Sequence, residues 1–447
     1  MKIKKLINEF NRQDTFLIIS DYPEKTSRGQ KNYGIAWHTK EMIDPIAKKY
    51  GTRFIVLAEK GYDNTPKTYQ NGKILVLRVF NQKNPALFPI ILRWLLRFKH
   101  IKYVQVHSEF CANGGIKNLI LLLPFLALIK LNNKHLTYFA HNVVTSLNSI
   151  APHLNLKKDS LKFKIFSNGL SYYYKILGIM VNQFVVMDEA IEKRLSLFVN
   201  NNKIFLNPFW VGKTSKKYTR ESARNELNLK EDETVLLYFG FITHYKGADW
   251  IIKTVKELRQ KKEFKKVKLI LAGGEAYSLK EKAYYKKYYS GLIEATKNDP
   301  NIIITGFVPE EKIEMYFRAS DLTVFCYRGL IGASGSLLHA IKYNRPLLLS
   351  RKMHSILENT TAQEAMSLSS LSKNDLTFSH TTKSFEKVLS RFIKNKAYKN
   401  NLQEFSKSFA ELRSQKNLMT RCYNNLYTTS NKTRLVLEKS FAALGSN

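Results

Sequence analysis

Short, continuously apolar runs alternate along the chain with longer segments whose apolar residues recur at helical spacing. In the first half TFLIISDYP (15–23), TRFIVLAEKG, GKILVLRVF, KYVQVHSEF, HLTYFAHNV and NQFVVM read as strands. After the first of them, Ile35, His38, Met42 and Ile46 fall on one helical face and predict a helix over 34–50. A second, apolar helix is predicted over 116–131. Strands that are apolar on both faces and separated by helices predict a parallel sheet covered on both sides. The turn-rich stretch 201–216 reads as a connector, and the pattern then restarts. TVLLYFGF (234–241), VKLILAGG (267–274), NIIITGFV (301–308), DLTVFCYR (321–328) and RPLLLS (345–350) are strands with helices between them. The expected fold class is therefore α/β, two doubly wound halves facing across a cleft with a C-terminal helical tail. The expected boundaries are 1–208, a linker at 209–216, 217–383, and helices over 384–447 that pack back toward the first domain. Ligands in such sheets bind at the carboxyl ends of the strands.

Composition supports two domains and adds a question. The chain has 447 residues, 44% of them hydrophobic, which suffices for large cores and excludes a disordered or collagenous chain. Three cysteines, Cys111, Cys326 and Cys422, cannot make a disulfide framework and point to a reducing compartment. The N-terminal segment lacks the apolar core of a secretory signal, and the longest apolar run, Leu119–Ile129, is short and contains Pro124. A span needs ~20 residues, so a soluble or membrane-peripheral protein is expected.

The question is the formal charge of +36. Lysine as a default surface residue, nucleic acid and an anionic membrane can each account for it. Residues 51–187 carry 18 Lys and Arg but only four acids, Glu59, Asp63, Glu109 and Asp159. Within them lie ALFPIILRWLLRFKH (86–100) and LKFKIFSNGLSYYYKIL (161–177), where cations interleave with Trp, Tyr, Phe and Leu. That pattern suits a helix lying in a headgroup layer, and equally a core helix with a solvated basic edge. No zinc spacing, RNP-type strand or helix-turn-helix accompanies the charge, so specific nucleic-acid binding is not expected.

Candidate chemistry sits in the loops of the second half. FGFITHYKGADW (239–250) places Gly240 at a strand end and Lys246-Gly247 just before a helix, a combination that can hold an anion. ITGFVPEEKI offers Gly306, Phe307 and Val308, which could lay backbone groups against a planar ring. YRGLIGASGSLLHAI brings Ser334, Gly335 and Ser336 to a helix N-terminus, a phosphate cradle in type but not a Walker loop. Each signal is weak alone, and an exposed lysine or an ordinary glycine strand exit explains any one of them.

Their order is more specific. GFITHYKG, LILAGG, IITGFVPEEKIEMYFRASDLTVF and YRGLIGASGSLLHAIKYNRPLLLS together resemble the C-terminal domain of the family 4 glycosyltransferases. SDYPEKTSRGQKNYGIAWHTKEM, VQVHSEFCANGG and FAHNVV resemble the N-terminal domain more loosely. The resemblance implies the GT-B fold of two Rossmann-like domains and a retaining transfer from a nucleotide-sugar. No DxD pair stands at a strand end to hold a divalent cation, so no cofactor or metal is expected to be required. Lys246 matches the diphosphate-binding lysine, and Gly240, Thr243, Gly306, Phe307, Val308, Ser334, Gly335 and Ser336 fall in the donor-binding loops. Gly34 falls in the first loop, His141 matches the pocket histidine, and Glu109 ends a strand where it could receive an acceptor proton. The sequence departs from the family at the paired-glutamate motif, whose positions hold Ile331 and His339, and follows a Ser-Gly variant of that loop. The expected partners are a nucleotide-sugar, a glycan or lipid-linked acceptor and an anionic membrane surface. The expected place is the cytoplasm or, peripherally, the inner face of the cell membrane. The missing carboxylates also leave open a degenerate GT-B protein that binds a glycan, a nucleotide or a partner enzyme without catalysis.

Overall fold

The computed structural model describes residues 2–24, 34–82, 84–108, 116–147, 160–212, 214, 216–276, 279–329 and 334–428. The first half forms an eight-stranded sheet of β1 (Thr15–Ile19), β2 (Arg53–Glu59), β3 (Lys67–Tyr69), β4 (Ile74–Phe80), β5 (Tyr103–Ser108), β6 (His135–Ala140), β7 (Gln183–Val186) and β8 (Ile204–Leu206). Its order is β3-β4-β2-β1-β5-β6-β7-β8, parallel throughout except for the β3–β4 hairpin. The second sheet contains β9 (Thr234–Phe239), β10 (Val267–Ala272), β11 (Ile302–Ile304), β12 (Leu322–Phe325), β13 (Leu347–Ser350) and β14 (Thr377–Phe378). Its order is β11-β10-β9-β12-β13-β14, parallel throughout.

Both sheets are doubly wound, as the continuous apolar runs require. β1 is buried at all five positions and β4 at all seven, so neither face of the strand can meet water. Strand order reverses beside β1 in one sheet and beside β9 in the other, and crevices open at those switch points. β8, at the start of the stretch that reads as a connector, pairs in parallel with β7. Three residues with one apolar position buried are too short for a period to be visible.

The helix predicted over 34–50 runs from Gly34 to Tyr50 and buries Ala36, His38, Thr39, Met42, Ile43, Ile46 and Ala47. It lies at the carboxyl end of β1, and Trp210 Nε1 donates to its Glu41 carbonyl at 3.2 Å. Two further bonds tie the halves together. The buried Asn359 amide donates to Asp188 at 2.7 Å, and Thr360 N–H donates to Glu189 at 2.9 Å. The helix Gln415–Leu426 returns to the first half, where Met419, Cys422, Leu426 and Tyr427 are buried with Phe16, Phe54 and Met42. Tyr50 and Tyr423 stack there with centroids 3.7 Å apart. Cys326 and Cys422 are free and buried.

Helices Leu87–Leu95, Ile116–Leu131 and Leu161–Met180 cover one side of the first sheet. Their inward residues, such as Ile91, Leu126 and Leu177, are buried, but Leu131, Leu161, Ile179 and Tyr172 are 77%, 72%, 70% and 67% exposed. Lys130 Nζ donates to the Ile179 carbonyl at 2.7 Å, which sets two helix ends, with Leu131 and Ile179, side by side. Not every cation of this region faces outward. Lys134 spends its ammonium on the carbonyls of Lys99 and Ile101, and Arg78 donates inward to the Tyr22 carbonyl at 2.7 Å. Among the described residues no helix is long and apolar enough to cross a membrane.

Candidate active site

On the second sheet, the loop after β9 is built around glycines. Gly240 takes φ +109° and Gly247 takes φ +75°, backbone that side-chain-bearing residues rarely adopt. Gly240 N–H donates to the Ala272 carbonyl and Ile242 N–H to the Gly274 carbonyl, so the loops after β9 and β10 lie against each other. A Cβ on Gly273 would stand 2.0 Å from the Gly240 oxygen, and one on Gly274 would stand 2.7 Å from Phe307 N. The two glycines of LAGG are therefore a packing requirement where three loops touch.

A short helical turn, His244–Lys246, swings Lys246 back over Gly240 before the helix Ala248–Leu258 begins. A Cβ on Gly240 would lie 2.9 Å from Lys246 Nζ and 2.7 Å from Ser336 Oγ. Ammonium and hydroxyl thus converge above one patch of bare backbone. Lys246 Nζ is also 5.5 Å from the Tyr327 ring centroid. Burial pulls the pKa of this ammonium down, but the Tyr327 and Tyr245 phenols outweigh it and leave the pKa above the usual lysine value. Thr243 is buried close by, and its hydroxyl has no hydrogen-bond partner.

Ser334 is the N-cap of the helix Gly335–Lys342, its Oγ accepting from Leu337 N–H at 3.3 Å. Its lone pair is thus engaged locally, whereas Ser336 Oγ faces Gly240. Gly335 is exposed. Gly306 takes φ +72°, Phe307 is half-buried and Val308 is buried. At the second position of the paired-glutamate motif, His339 packs between Phe239 and Phe317, centroids 5.3 and 6.0 Å away. Burial, aided by Lys342, lowers its pKa to about 3, so a neutral ring stands where the family has a charge. Ile331 lies outside the described residues.

The first sheet contributes a different chemistry. His141 follows β6 directly, and its Nε2 is 3.3 Å from His107 Nδ1 near the end of β5. His38, from helix 34–50, meets the His141 ring edge-on at a centroid distance of 5.0 Å and Phe209 at 4.5 Å. His107 stacks on Phe139, and its Nδ1 is 3.4 Å from Thr39 Oγ1, which is 2.7 Å from Ser20 Oγ. Burial holds all three imidazoles neutral, His38 down to about 3 and the other two well below the ordinary histidine value. Glu41, one turn beyond His38, lines a crevice with Met42, Asn207, Pro208 and Phe209. Burial raises its carboxyl pKa, against the pull of Lys342 and Lys40, and Lys342 belongs to the opposite domain.

The structure therefore brings Gly240, Lys246 and Ser336 together on one wall and His141 with two unforeseen histidines on the other. Gly34 begins helix 34–50 with nothing within 4 Å of where its Cβ would stand. Glu109 lies outside the described residues. His38 is hidden in the sequence because it shares the spacing of the helix's core residues, and His107 because it sits in an apolar strand. Glu41 carried no signal, since one acid in a helix is ordinary.

Two switch-point crevices facing each other define the GT-B class, and comparison with solved structures agrees. The chain superposes on Anabaena HepE, solved in complex with UDP-glucose, at TM-score 0.62 and 14% identity, covering 91% of this chain and 97% of that one. WaaG, a glycosyltransferase involved in lipopolysaccharide biosynthesis, matches at TM-score 0.62 and 12% identity, over 93% and 100% of the two chains. An uncharacterised glycosyltransferase of Methanocaldococcus jannaschii is 24% identical over 326 residues, 70% of this chain and 72% of that relative. Residues 219–408 match the family described as glycosyl transferases group 1. Residues 219–408 are thus similar to the group 1 glycosyl transferases, and the chain has the GT-B fold.

Proposed function

We propose that this glycosyltransferase moves a sugar, with retention, from a nucleotide-sugar to a glycan or lipid-linked acceptor at the cell envelope. The observation that carries the reading is the convergence of Lys246 Nζ and Ser336 Oγ on the space above Gly240, at the carboxyl end of β9. A diphosphate there meets one fixed positive charge, one hydroxyl and bare backbone. Cleavage of the sugar–phosphate bond builds negative charge on the leaving oxygens, and a charge already in place stabilises it without reorganisation. The N-terminus of helix 335–342 adds its dipole to the same oxygens. Gly306, Phe307 and Val308 border the space for the base, and Thr243 the phosphates. His141, with Glu109 and Gly34, would act on the sugar and acceptor side. HepE's complex with UDP-glucose supports a uridine donor, and charge stabilisation by Lys246 and the helix dipole requires no metal.

A panel of UDP-, GDP- and ADP-sugars, scored for nucleotide release, tests this. Release from one nucleotide class, above the background of Lys246→Ala, is the expected result. His339 in place of a carboxylate motivates the second reading, a protein that binds without turnover. Nucleotide binding with no release from any donor would establish that reading and overturn transfer.

The acceptor side of the proposal rests on the exposed Leu131, Leu161, Tyr172 and Ile179, on helices of the first half that also expose Lys162, Lys164, Lys175 and Arg93, with Arg97 exposed just after the first of them. Arg97 lies over the Trp94 ring at 4.4 Å, an arrangement suited to a headgroup layer. A surface-near cation contributes ~1 kcal/mol toward an anionic bilayer. Cosedimentation with liposomes containing phosphatidylserine, weakened by salt and absent with neutral lipid, is expected. Equal failure with both removes the membrane from the proposal and with it the placement on the inner face.

A further inference from the structure

Three histidines arrive from three separate elements at the carboxyl end of the first sheet. One ring nitrogen from each of His38, His107 and His141 lies within 4.8 Å of the others, and no acid belongs to the cluster. His38 and His107 are only 6% and 5% exposed, and His38 Nδ1 and His107 Nε2 are buried with no hydrogen-bond partner. A buried polar atom left unpaired costs about 1–3 kcal/mol, so as bare packing this cluster works against folding twice. Aliphatic side chains would fill the same space without that cost.

The chemistry of the group suggests a ligand, with His107 facing His141 through Nδ1 rather than through its unpaired Nε2. Neutral imidazole is the form that binds a metal, and no acid belongs to the group to favour the charged form. Four-coordinate zinc with Zn–N of about 2.0–2.1 Å sets its nitrogen ligands roughly 3.3–3.4 Å apart. His107 Nδ1 and His141 Nε2 already stand 3.3 Å apart. The third nitrogen, on His38, lies within 4.8 Å of both. Outer contacts that would steady the rings are in place. Phe139 stacks on the His107 ring, and Phe209 meets the His38 ring edge-on at a centroid distance of 4.5 Å. Three nitrogen donors select zinc, cobalt, nickel or copper over magnesium, manganese or calcium, which take oxygen ligands.

We propose that His38, His107 and His141 form a site for a divalent transition-metal ion, with the remaining coordination position open to the cleft between the domains. This differs from the expectation drawn from the sequence, in which the absence of a DxD pair argued against a metal, because here the ligands are nitrogens. His141 is partly exposed and His38 lines the crevice beside Glu41, so the open side faces the space where an acceptor would lie. Only the use of the ion rests on the proposed transfer: positive charge there would lower the pKa of a bound hydroxyl or meet a departing phosphate. Binding itself does not depend on that reading.

The test uses the full chain, stripped of metal by chelation and titrated with Co²⁺. One equivalent per chain, with the strong visible absorption of tetrahedral cobalt and displacement by Zn²⁺, is the expected result, and Mg²⁺ gives nothing. Binding raises Tm by mass action. His107→Asn and His38→Phe, which keep a polar group and a ring respectively, should each weaken Co²⁺ binding by more than about a hundredfold. His354→Ala, an exposed histidine elsewhere, should leave it unchanged. If one variant fails to fold, the other carries the comparison. A wild-type chain that binds no Co²⁺, or binds it equally after either substitution, overturns the site. UDP binding measured on the same preparations separates the two ideas. Cobalt bound without nucleotide would overturn the transfer reading and keep the metal, and the reverse would overturn the metal alone.

Discussion

Lys246→Ala is expected to lower kcat for nucleotide release by at least tenfold, and on the order of a hundredfold, while donor binding is partly retained. The effect is differential. The ground-state donor already carries charge on its diphosphate, and the helix 335–342 N-terminus and Ser336 continue to hold it. What the ammonium adds is fixed charge beside the oxygen that becomes more negative as the bond breaks. A residue that acts more strongly in the transition state than in the bound state shows in kcat more than in KM. Initial rates against donor concentration, with Kd measured separately by calorimetry, read the two effects apart. Lys246→Arg is not expected to restore the rate. The larger guanidinium must fit where a single methyl on Gly240 would already stand 2.9 Å from Nζ and 2.7 Å from Ser336 Oγ. Kinetics like those of wild type in Lys246→Ala would remove this residue from the site.

Gly247→Ala should produce the largest loss of stability among single methyl additions in this loop, about 2–5 kcal/mol. A Cβ at Gly247 would stand 2.1 Å from the Cys326 carbonyl oxygen and 3.2 Å from its carbon. Both belong to backbone just beyond β12, where they cannot rotate away. The φ of +75° adds a conformational penalty to the clash. The cost differs in kind from that at Gly240, where the obstructing atoms are the ends of flexible side chains. Chemical denaturation of Gly247→Ala should show a lower midpoint with an unchanged slope. A midpoint equal to that of wild type would mean that the β9 and β12 loops are not held together as described. The substitution also tests the mechanism, since the turn at 244–247 is what points Lys246 toward Gly240.

Much of the architecture is legible from local pattern because the burial that drives it is itself periodic. Helix 34–50 follows from Ile35, Met42 and Ile46, and β1, β4 and β9 from nearly continuous apolar runs in which Arg78 of β4 is the one charged position. β8 and β14 are not legible, being three and two residues long and held by their neighbours rather than by a period of their own. The final helix, Gln415–Leu426, shows where pattern stops. Its apolar face says that it packs, and nothing in it says that Phe16, Phe54 and Met42 of the opposite half are its partners.

The candidate site divides in the same way. Lys246 and Gly247 stand next to each other in the chain, so a strand exit, a lysine and a helix start can be read as one local device. Ser334 and Ser336 read as a pair for the same reason. Only the structure separates them, because Ser334 caps its own helix while Ser336 reaches Gly240. The histidines are the opposite case. The β5–β6 register, with His107 opposite Phe139, places 107 and 141 side by side, and the packing of helix 34–50 on the sheet brings in 38.

By itself, the sequence determined two doubly wound halves, the glycine-rich loops of the second and the scarcity of acids across 51–187 in the first. These are consequences of hydrophobic periodicity, turn chemistry and charge, all of which act between residues close in the chain. Which side chains share a space was decided only by tertiary structure, because strand register and helix docking are cooperative over the whole domain. A cluster of three histidines becomes visible only when that packing brings their three elements together.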